Sequence, residues 1–262
     1  MKILMDYTYP KVNKVVSIIS GGMDSSILTI MLAKHYGAEN VYPVSFNYNQ
    51  KQIYELSCAK TLTKILGTAK HKELDLSVLG DIAKPVSSNI NNTNIDMPDI
   101  KEVLGDPQPV TYVPFRNMIM LSLAVAYAET QNINHVFTGL QVHDEYGYWD
   151  TTQEFVDGLN NVTQQNRMNK IKVEAPFINL SKIHELEICK ELNQIDLLKY
   201  TLTCYNPDHN GRSCGKCPSC SERINAFMQM NIIDPIDYQI DIPWSDKCVQ
   251  YPDHSTIQNS PN

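Results

Sequence analysis

The sequence predicts an α/β fold, a doubly wound and mainly parallel sheet that carries a small cysteine-held subdomain toward its C-terminus. Three observations lead there. Short β-branched runs alternate with segments of helical apolar spacing, a glycine pair parts the first run from the first helix, and four of the seven cysteines crowd between Cys204 and Cys220. At 262 residues the chain is long enough for one large domain with an appendage and a sizeable core.

The elements follow in order. Val15 to Ile19 is a β-branched run, and Ser26 to Tyr36 repeats apolar residues at helical spacing. Val41 to Phe46 reads as a strand, Ile53 to Leu66 as a helix, and His71 to Ser77 as a further strand. Near-continuous apolar strands separated by helices indicate a parallel sheet covered on both faces. From about Gly80 to Tyr112 the periodicity fails around "SSNINNTN", and a loop of that length is usually functional. Alternation resumes with a helix at Asn117 to Thr130, a strand at His135 to Leu140 and a polar aromatic loop to Asp150. Helices are expected at Thr152 to Gln164, at Lys182 to Asn193 and after Ser221. The division that results is an N-terminal extension (1–13), the α/β domain (14–200), a metal-binding and helical subdomain (201–234) and a polar tail (235–262).

Composition narrows the function classes. Apolar residues make up 42% and charged ones 19%, the longest apolar runs fall short of a bilayer span, and Met1 to Lys14 lacks a signal-like apolar core. A cytoplasmic protein without a membrane partner is expected. The net charge of −7 argues against extended contact with a nucleic-acid backbone.

Two motifs carry chemistry. In "SGGMDSS", Ser20 to Ser26, the glycines let backbone N–H groups approach an anion, the serines add donors, and the following helix aims its positive end at the same point. Asp24 would repel a bare phosphate, so it implies a Mg²⁺ ion accompanying it. No Gly-Lys-Ser/Thr ends the loop, so it is not a Walker A loop, and a simple helix start remains the alternative. Downstream, Cys204, Cys214, Cys217 and Cys220 are parted by nine, two and two residues, with Gly215 at the tight turn. Four such thiolates suit a closed structural Zn²⁺ site, although paired two-residue spacers also occur in iron–sulfur runs. Cys58, Cys189 and Cys248 stand apart, and His209 is read as a solvated histidine rather than a ligand.

The loop is similar to that of N-type ATP pyrophosphatases. The segments "SGGMDSS", "FNYNQKQIYE", "YVPFRNMIMLSLAVAYAE", "TGLQVHDEYGYWD", "EAPFINLSKIHE" and "TCYN…CGKCPSC" together resemble the 7-cyano-7-deazaguanine synthase family (QueC) over roughly Lys14 to Asp234. The resemblance implies a PP-loop fold of the adenine nucleotide alpha-hydrolase type and an AMP-forming C–N ligase. ATP would adenylate the carboxylate of 7-carboxy-7-deazaguanine, and ammonia would give the amide and then the nitrile. It also implies a homodimer.

Residue by residue, the resemblance places Ser20, Gly21, Gly22, Met23, Asp24, Ser25 and Ser26 at the pyrophosphate. It sets Lys182 on the phosphates or the adenylate, and makes Asp24, Lys182 and Arg116 the catalytic group. Phe115, Arg116, Asn117, Gly139, Asp144, Tyr146, Trp149 and Asp150 fall on the substrate pocket, with Asp144 the first choice for the base edge. Gly147 belongs to the same loop, and Gln50, Lys51 and Glu55 fall in a segment near the active site. The chain departs from the family pattern at Asn49 and Phe115, where glycine is usual, and at Tyr146, Trp149, Thr151 and Thr152. These departures motivate a second reading, in which the adenylate passes to an amine of a partner protein, as in some antiphage systems. A tRNA-modifying ATP pyrophosphatase is a more distant alternative.

Overall fold

The computed structural model describes residues 7–98, 106, 108–142 and 148–252. Five parallel strands form the central sheet: β1 (Val15–Ile18), β2 (Val41–Asn47), β3 (Lys72–Asp75), β4 (His135–Phe137) and β5 (Lys172–Glu174), in the order β3-β2-β1-β4-β5. The chain therefore steps outward from β1 to β3, then crosses back to the other side of β1. The doubly wound parallel architecture is as the sequence predicts. Around the sheet lie α1 (Met23–Tyr36), α2 (Tyr54–Leu66), α3 (Ser77–Ala83), α4 (Arg116–Thr130), α5 (Gln153–Thr163), α6 (Lys182–Glu191) and α7 (Pro218–Gln229).

Successive strand residues face opposite sides of the sheet, which gives two cores. Val15, Val41 and Phe137 pack with α1, α6 and α7 through Ile27, Met31, Leu186, Ile188 and Phe227. Val16, Val44 and Val136 pack on the other face with α4 through Ala124 and Ala128. Helix α1 is apolar on every side because it is enclosed on every side. Its Ile30 joins Ala59 and Leu62 of α2 in a third cluster. Each of its buried Ile, Leu and Met side chains contributes ~1.5–3 kcal/mol relative to exposure. Ser17 Oγ and Thr29 Oγ1, 2.9 Å apart, satisfy each other within the β1–α1 contact.

Three features escape the sequence pattern. Strand β5 is only three residues long and its ends are polar, helix α3 runs into the segment expected to be irregular, and β6 (Ile232–Ile233) pairs in parallel with β7 (Val249–Gln250). The described part of the tail accordingly lies on the body, with Trp244 packed against the first core. Among the described residues no helix is long and apolar enough to cross a membrane.

Candidate active site

The crossover back past β1 leaves a crevice beyond the C-terminal ends of β1 and β4, the usual ligand position in an open parallel sheet. Gly21 turns the chain out of β1 with φ 98°, and a Cβ there would sit 1.9 Å from the Glu55 carbonyl oxygen, so only glycine fits beneath α2. Gly22 then caps α1. Ser25 Oγ accepts from the Ser20 N–H at 3.1 Å and lies 3.0 Å from Ser20 Oγ, while Ser20 Oγ accepts from the Gly22 N–H at 3.1 Å. Opposite the loop, Gly139 follows β4, and a Cβ there would meet the Ser25 nitrogen at 3.2 Å. The two strand ends are thus held together over the α1 N-terminus.

A cavity of about 310 Å³ opens here. Ser20, Gly22, Asp24, Ser25, Arg116, Asn117, Gly139 and Asp150 line it, as do Gln50 and Glu55. Gly21, Met23 and Ser26 belong to the loop without lining the cavity, and Ser26 Oγ is buried with no hydrogen-bond partner. Lys51 does not line it. Asp144, Tyr146 and Gly147 lie outside the described residues.

Lys182 reaches the site from a distance in sequence. Ser181 and His184 form a capping box at the start of α6, which puts Lys182 at the first position of the helix. Its Nζ donates to both Asp24 oxygens, at 2.8 and 2.9 Å, and lies 3.9 Å from Glu222. Burial favours the neutral amine, but Asp24, Glu185 and Glu222 outweigh it and hold the Lys182 pKa above its ordinary value. Beneath this pair Glu185 is fully buried, and neither of its oxygens has a hydrogen-bond partner by distance and angle. Burial, and then the negative charge of Asp24, push the pKa of its carboxyl well above the usual range.

Elsewhere in the cavity lining, the Arg116 guanidinium lies 3.4 Å from the Tyr48 hydroxyl, to which it donates. Burial opposes its charge, but Tyr48, Asp150 and Tyr148 more than offset that. Asp150 is held by Asn117, whose backbone N–H donates to its Oδ2 at 3.3 Å and whose side-chain amide donates to its carbonyl at 3.1 Å. Burial raises the Asp150 pKa.

Phe115 and Trp149 do not line the cavity. They are 54% and 41% exposed and meet edge to face at 5.3 Å. The Phe115 N–H and Trp149 Nε1 both donate to the Tyr112 hydroxyl, at 3.0 and 2.9 Å, so they brace a residue that does line it. Phe115 has φ 51° and Asn49 has φ 60°. Both positions where the resemblance led glycine to be expected are therefore left-handed.

Lining residues that sequence reasoning did not single out include Tyr48, Thr111, Tyr112, Tyr148 and Tyr205. Thr111 and Tyr112 end the aperiodic segment, and Tyr205 follows the first cysteine of the cluster, so position beside a motif was the only signal.

The four sulfurs of Cys204, Cys214, Cys217 and Cys220 lie within 4.8 Å of one another, and Cys214 and Cys220 are 3.9 Å apart. Tetrahedral Zn–S bonds of ~2.3 Å imply sulfur–sulfur edges of ~3.8 Å, which this donor set meets. Backbone N–H groups of Asn206 and Cys214 point at Cys204 Sγ, at 3.2 and 3.1 Å. His209 is not in the cluster. The site adjoins the cavity. The Leu202 N–H donates to the Gly21 carbonyl at 3.0 Å, and Thr203, Tyr205 and Ser219 are in the cavity wall. Arg223 of α7, only 1% exposed, binds both Asp234 oxygens at 2.6 and 2.9 Å and donates to Thr201 and Thr203. It clamps the approach to the cysteines from behind.

A parallel sheet with a glycine–serine loop at its crossover, and no Walker lysine, defines an α/β protein of the PP-loop class. Residues 14–231 match the family described as queuosine biosynthesis protein QueC, and the chain belongs to that family. The 7-cyano-7-deazaguanine synthase of Methanococcus vannielii is 35% identical over 236 residues, covering 86% of this chain and 98% of its own. That of Acetivibrio thermocellus is 37% identical over 232 residues, covering 86% and 97%. That of Pseudomonas fluorescens is 35% identical over 231 residues, covering 86% and 95%. The ammonia-dependent NAD synthetase of Campylobacter jejuni superposes over 73% of this chain and 69% of its own, at TM-score 0.40 and 18% identity, too loosely to carry any residue across.

Proposed function

We propose that this chain is an ATP-dependent ligase that turns the carboxylate of 7-carboxy-7-deazaguanine into the nitrile of 7-cyano-7-deazaguanine. The observation that carries the reading is its match, over 86% of the chain, to relatives bearing that synthase's name.

A carboxylate does not accept ammonia directly. Its oxygen first attacks the α-phosphorus of ATP, and the α–β bridging bond breaks with its electron pair going to pyrophosphate. Ammonia then forms a C–N bond as the C–O bond to AMP breaks, leaving the amide. The amide oxygen attacks a second ATP in the same way. Loss of AMP and of the last N–H proton leaves the C≡N bond, so each AMP carries away one substrate oxygen. No protein nucleophile is needed, and rate comes from positioning and charge stabilisation.

Within this reading, the Ser20, Gly22 and Ser25 donors hold the pyrophosphate, and Lys182 neutralises developing phosphoryl charge. Asp24 would hold the Mg²⁺ that accompanies ATP, an ion that supplies further charge neutralisation. Arg116, Asn117 and Asp150 line the far end, where a buried carboxylate suits the donor edge of a guanine-like base. A Zn²⁺ ion on Cys204, Cys214, Cys217 and Cys220 would be structural, fixing the wall that carries Thr203 and Tyr205. A homodimer rests on the family resemblance alone.

The test is incubation with ATP, the carboxylate base and ammonium, with products identified by mass spectrometry. Amide and then nitrile are expected, with AMP and pyrophosphate. AMP release without either, or only on adding a protein amine, would overturn the reading. No observation favours the protein-conjugating or tRNA-modifying alternatives.

A further inference from the structure

The reaction proposed above sheds protons from nitrogen, and the machinery described so far contains no group to take them. Incoming nitrogen is ammonium at neutral pH, which has no lone pair until it loses a proton. The imidate adenylate must likewise lose its N–H proton as the nitrile forms. A base is needed inside the cavity, and among the described lining residues there is no histidine.

Three carboxylates line the cavity. Asp24 is engaged by Lys182 through two hydrogen bonds, and Asp150 by Asn117. Glu55 is different: its N–H donates to the Gln52 carbonyl, but its carboxylate makes no hydrogen bond or ion pair with another described residue. It sits in the first turn of α2, half-buried, with its backbone carbonyl packed against Gly21 of the loop. That contact seats its α-carbon beside the loop assigned to the pyrophosphate in the proposed reaction. We propose that Glu55 is the general base of the nitrogen steps, binding the incoming ammonium and accepting its proton, then accepting the imidate proton in nitrile formation. The proposal rests on the ligase reading given above.

The steps balance. Glu55 carboxylate takes one proton from ammonium, and the freed lone pair forms the C–N bond while the C–O electron pair leaves with AMP. The nitrogen sheds its next proton to the departing phosphate, and Glu55 returns its own to water as products exchange. At the second stage the amide nitrogen, made acidic as its oxygen is adenylated, sheds one proton to the departing pyrophosphate. Glu55 takes the remaining imidate N–H proton, and that bonding pair becomes the third C–N bond as the C–O electron pair leaves with AMP.

The surroundings suit a base of this strength. Asp24 of α1 and Arg116 of α4 act on Glu55 with opposite sign, Cys58 follows one turn along α2, and Tyr48, Tyr112, Tyr148, Tyr205 and Asp150 complete the titratable groups among the described residues lining the cavity. Burial, with Asp24 adding to it and Arg116 opposing, raises the Glu55 pKa to about 8. A carboxylate this basic holds a proton well enough to take it from ammonium, yet remains partly ionised at neutral pH.

The experiment compares wild type, Glu55→Gln and Glu55→Asp across pH, following amide and nitrile formation from ammonium. Carboxylate-dependent ATP–pyrophosphate exchange, which precedes any nitrogen chemistry, is followed on the same samples. In wild type, kcat/KM for total ammonium should rise with pH and level off above about 8, where Glu55 is ionised. Glu55→Gln should lose ~10²–10⁴-fold in amide formation at pH 7. Its rate should keep rising past pH 8 with the free ammonia concentration, and hydroxylamine, already unprotonated at neutral pH, should largely restore turnover. Glu55→Asp should be slower than wild type but keep the levelling. Equal losses of exchange and amide formation in both variants would overturn the proposal, as would an unchanged rate and pH profile in Glu55→Gln. If wild type itself makes neither amide nor nitrile, the ligase reading fails and this proposal falls with it. If wild type makes both and only Glu55→Gln behaves normally, the proposal alone fails.

Discussion

Lys182 of α6 and Asp24 of α1 are joined by two hydrogen bonds, 2.8 and 2.9 Å long, across 158 residues of sequence. Each is therefore held at the loop by the other until a ligand offers better partners. A phosphate and its magnesium ion would do so, one attracting the amine and the other the carboxylate.

Lys182→Met should lower ATP–pyrophosphate exchange by ~10²–10³-fold, the scale for removing one donor at developing negative charge. Asp24→Asn should do the same, and raising Mg²⁺ should not rescue it. Exchange at wild-type rate in either variant would take both residues out of the reaction.

The buried Glu185 predicts a pH effect on stability. Its carboxyl is held well above the ordinary value of 4.5, first by burial and then by Asp24. Below that value both folded and unfolded forms are protonated and nothing is lost. As pH rises, the unfolded chain releases the proton first, so folding is progressively penalised. Glu185→Gln cannot ionise and should melt a few degrees higher than wild type at pH 8, with little difference at pH 4. Calorimetry at both values checks this, and a pH-independent gap would contradict it.

The cysteine cluster predicts a metal content and a link to the cavity. Purified protein should carry one Zn²⁺ per chain by elemental analysis, without the visible absorption of an iron–sulfur cluster. Structural zinc contributes ~10–16 kcal/mol apparent at neutral pH. Stripping it, or Cys217→Ser, should therefore lower the melting temperature sharply and abolish turnover, since Thr203 and Tyr205 flank Cys204 and line the cavity.

Phe115 tests how much the rim matters. A left-handed backbone costs a substituted residue ~1–2 kcal/mol, and the ring's contact with Trp149 contributes ~0.5–1.5 kcal/mol. Phe115→Gly exchanges one for the other, so its melting temperature should stay within about 4 °C of wild type. Loosening Trp149 also loosens Tyr112, and KM for the deazapurine should rise by roughly fivefold, near 1 kcal/mol. An unchanged KM would show that the aromatic rim does not reach the substrate.

Much of this was legible before folding. The strands of the sheet stand out where β-branched runs are buried on both faces, as in Val15–Ile18 and Val41–Asn47. The loop and the cysteines stand out because their chemistry needs fixed residues at short spacing. Local pattern therefore determined the parallel α/β class, the glycine–serine loop at the start of α1 and the four-cysteine cluster.

Other features depend on partners that are remote in sequence. Arg223 in "SERINAF" reads as one more polar helix residue, yet it is buried against Asp234 and Thr201. Tyr48, Thr111 and Tyr205 carry no periodicity and meet only because three separate chain segments converge on one cavity. Glu55 and Glu185 look alike as acidic helix residues. The fold leaves one facing the cavity and seals the other behind Lys182. A side chain's charge state and reach are set by what surrounds it, and those surroundings are assembled only when the chain closes on itself. Sequence alone thus determined the class and the anchoring motifs, and tertiary structure decided which ionisable groups face the chemistry.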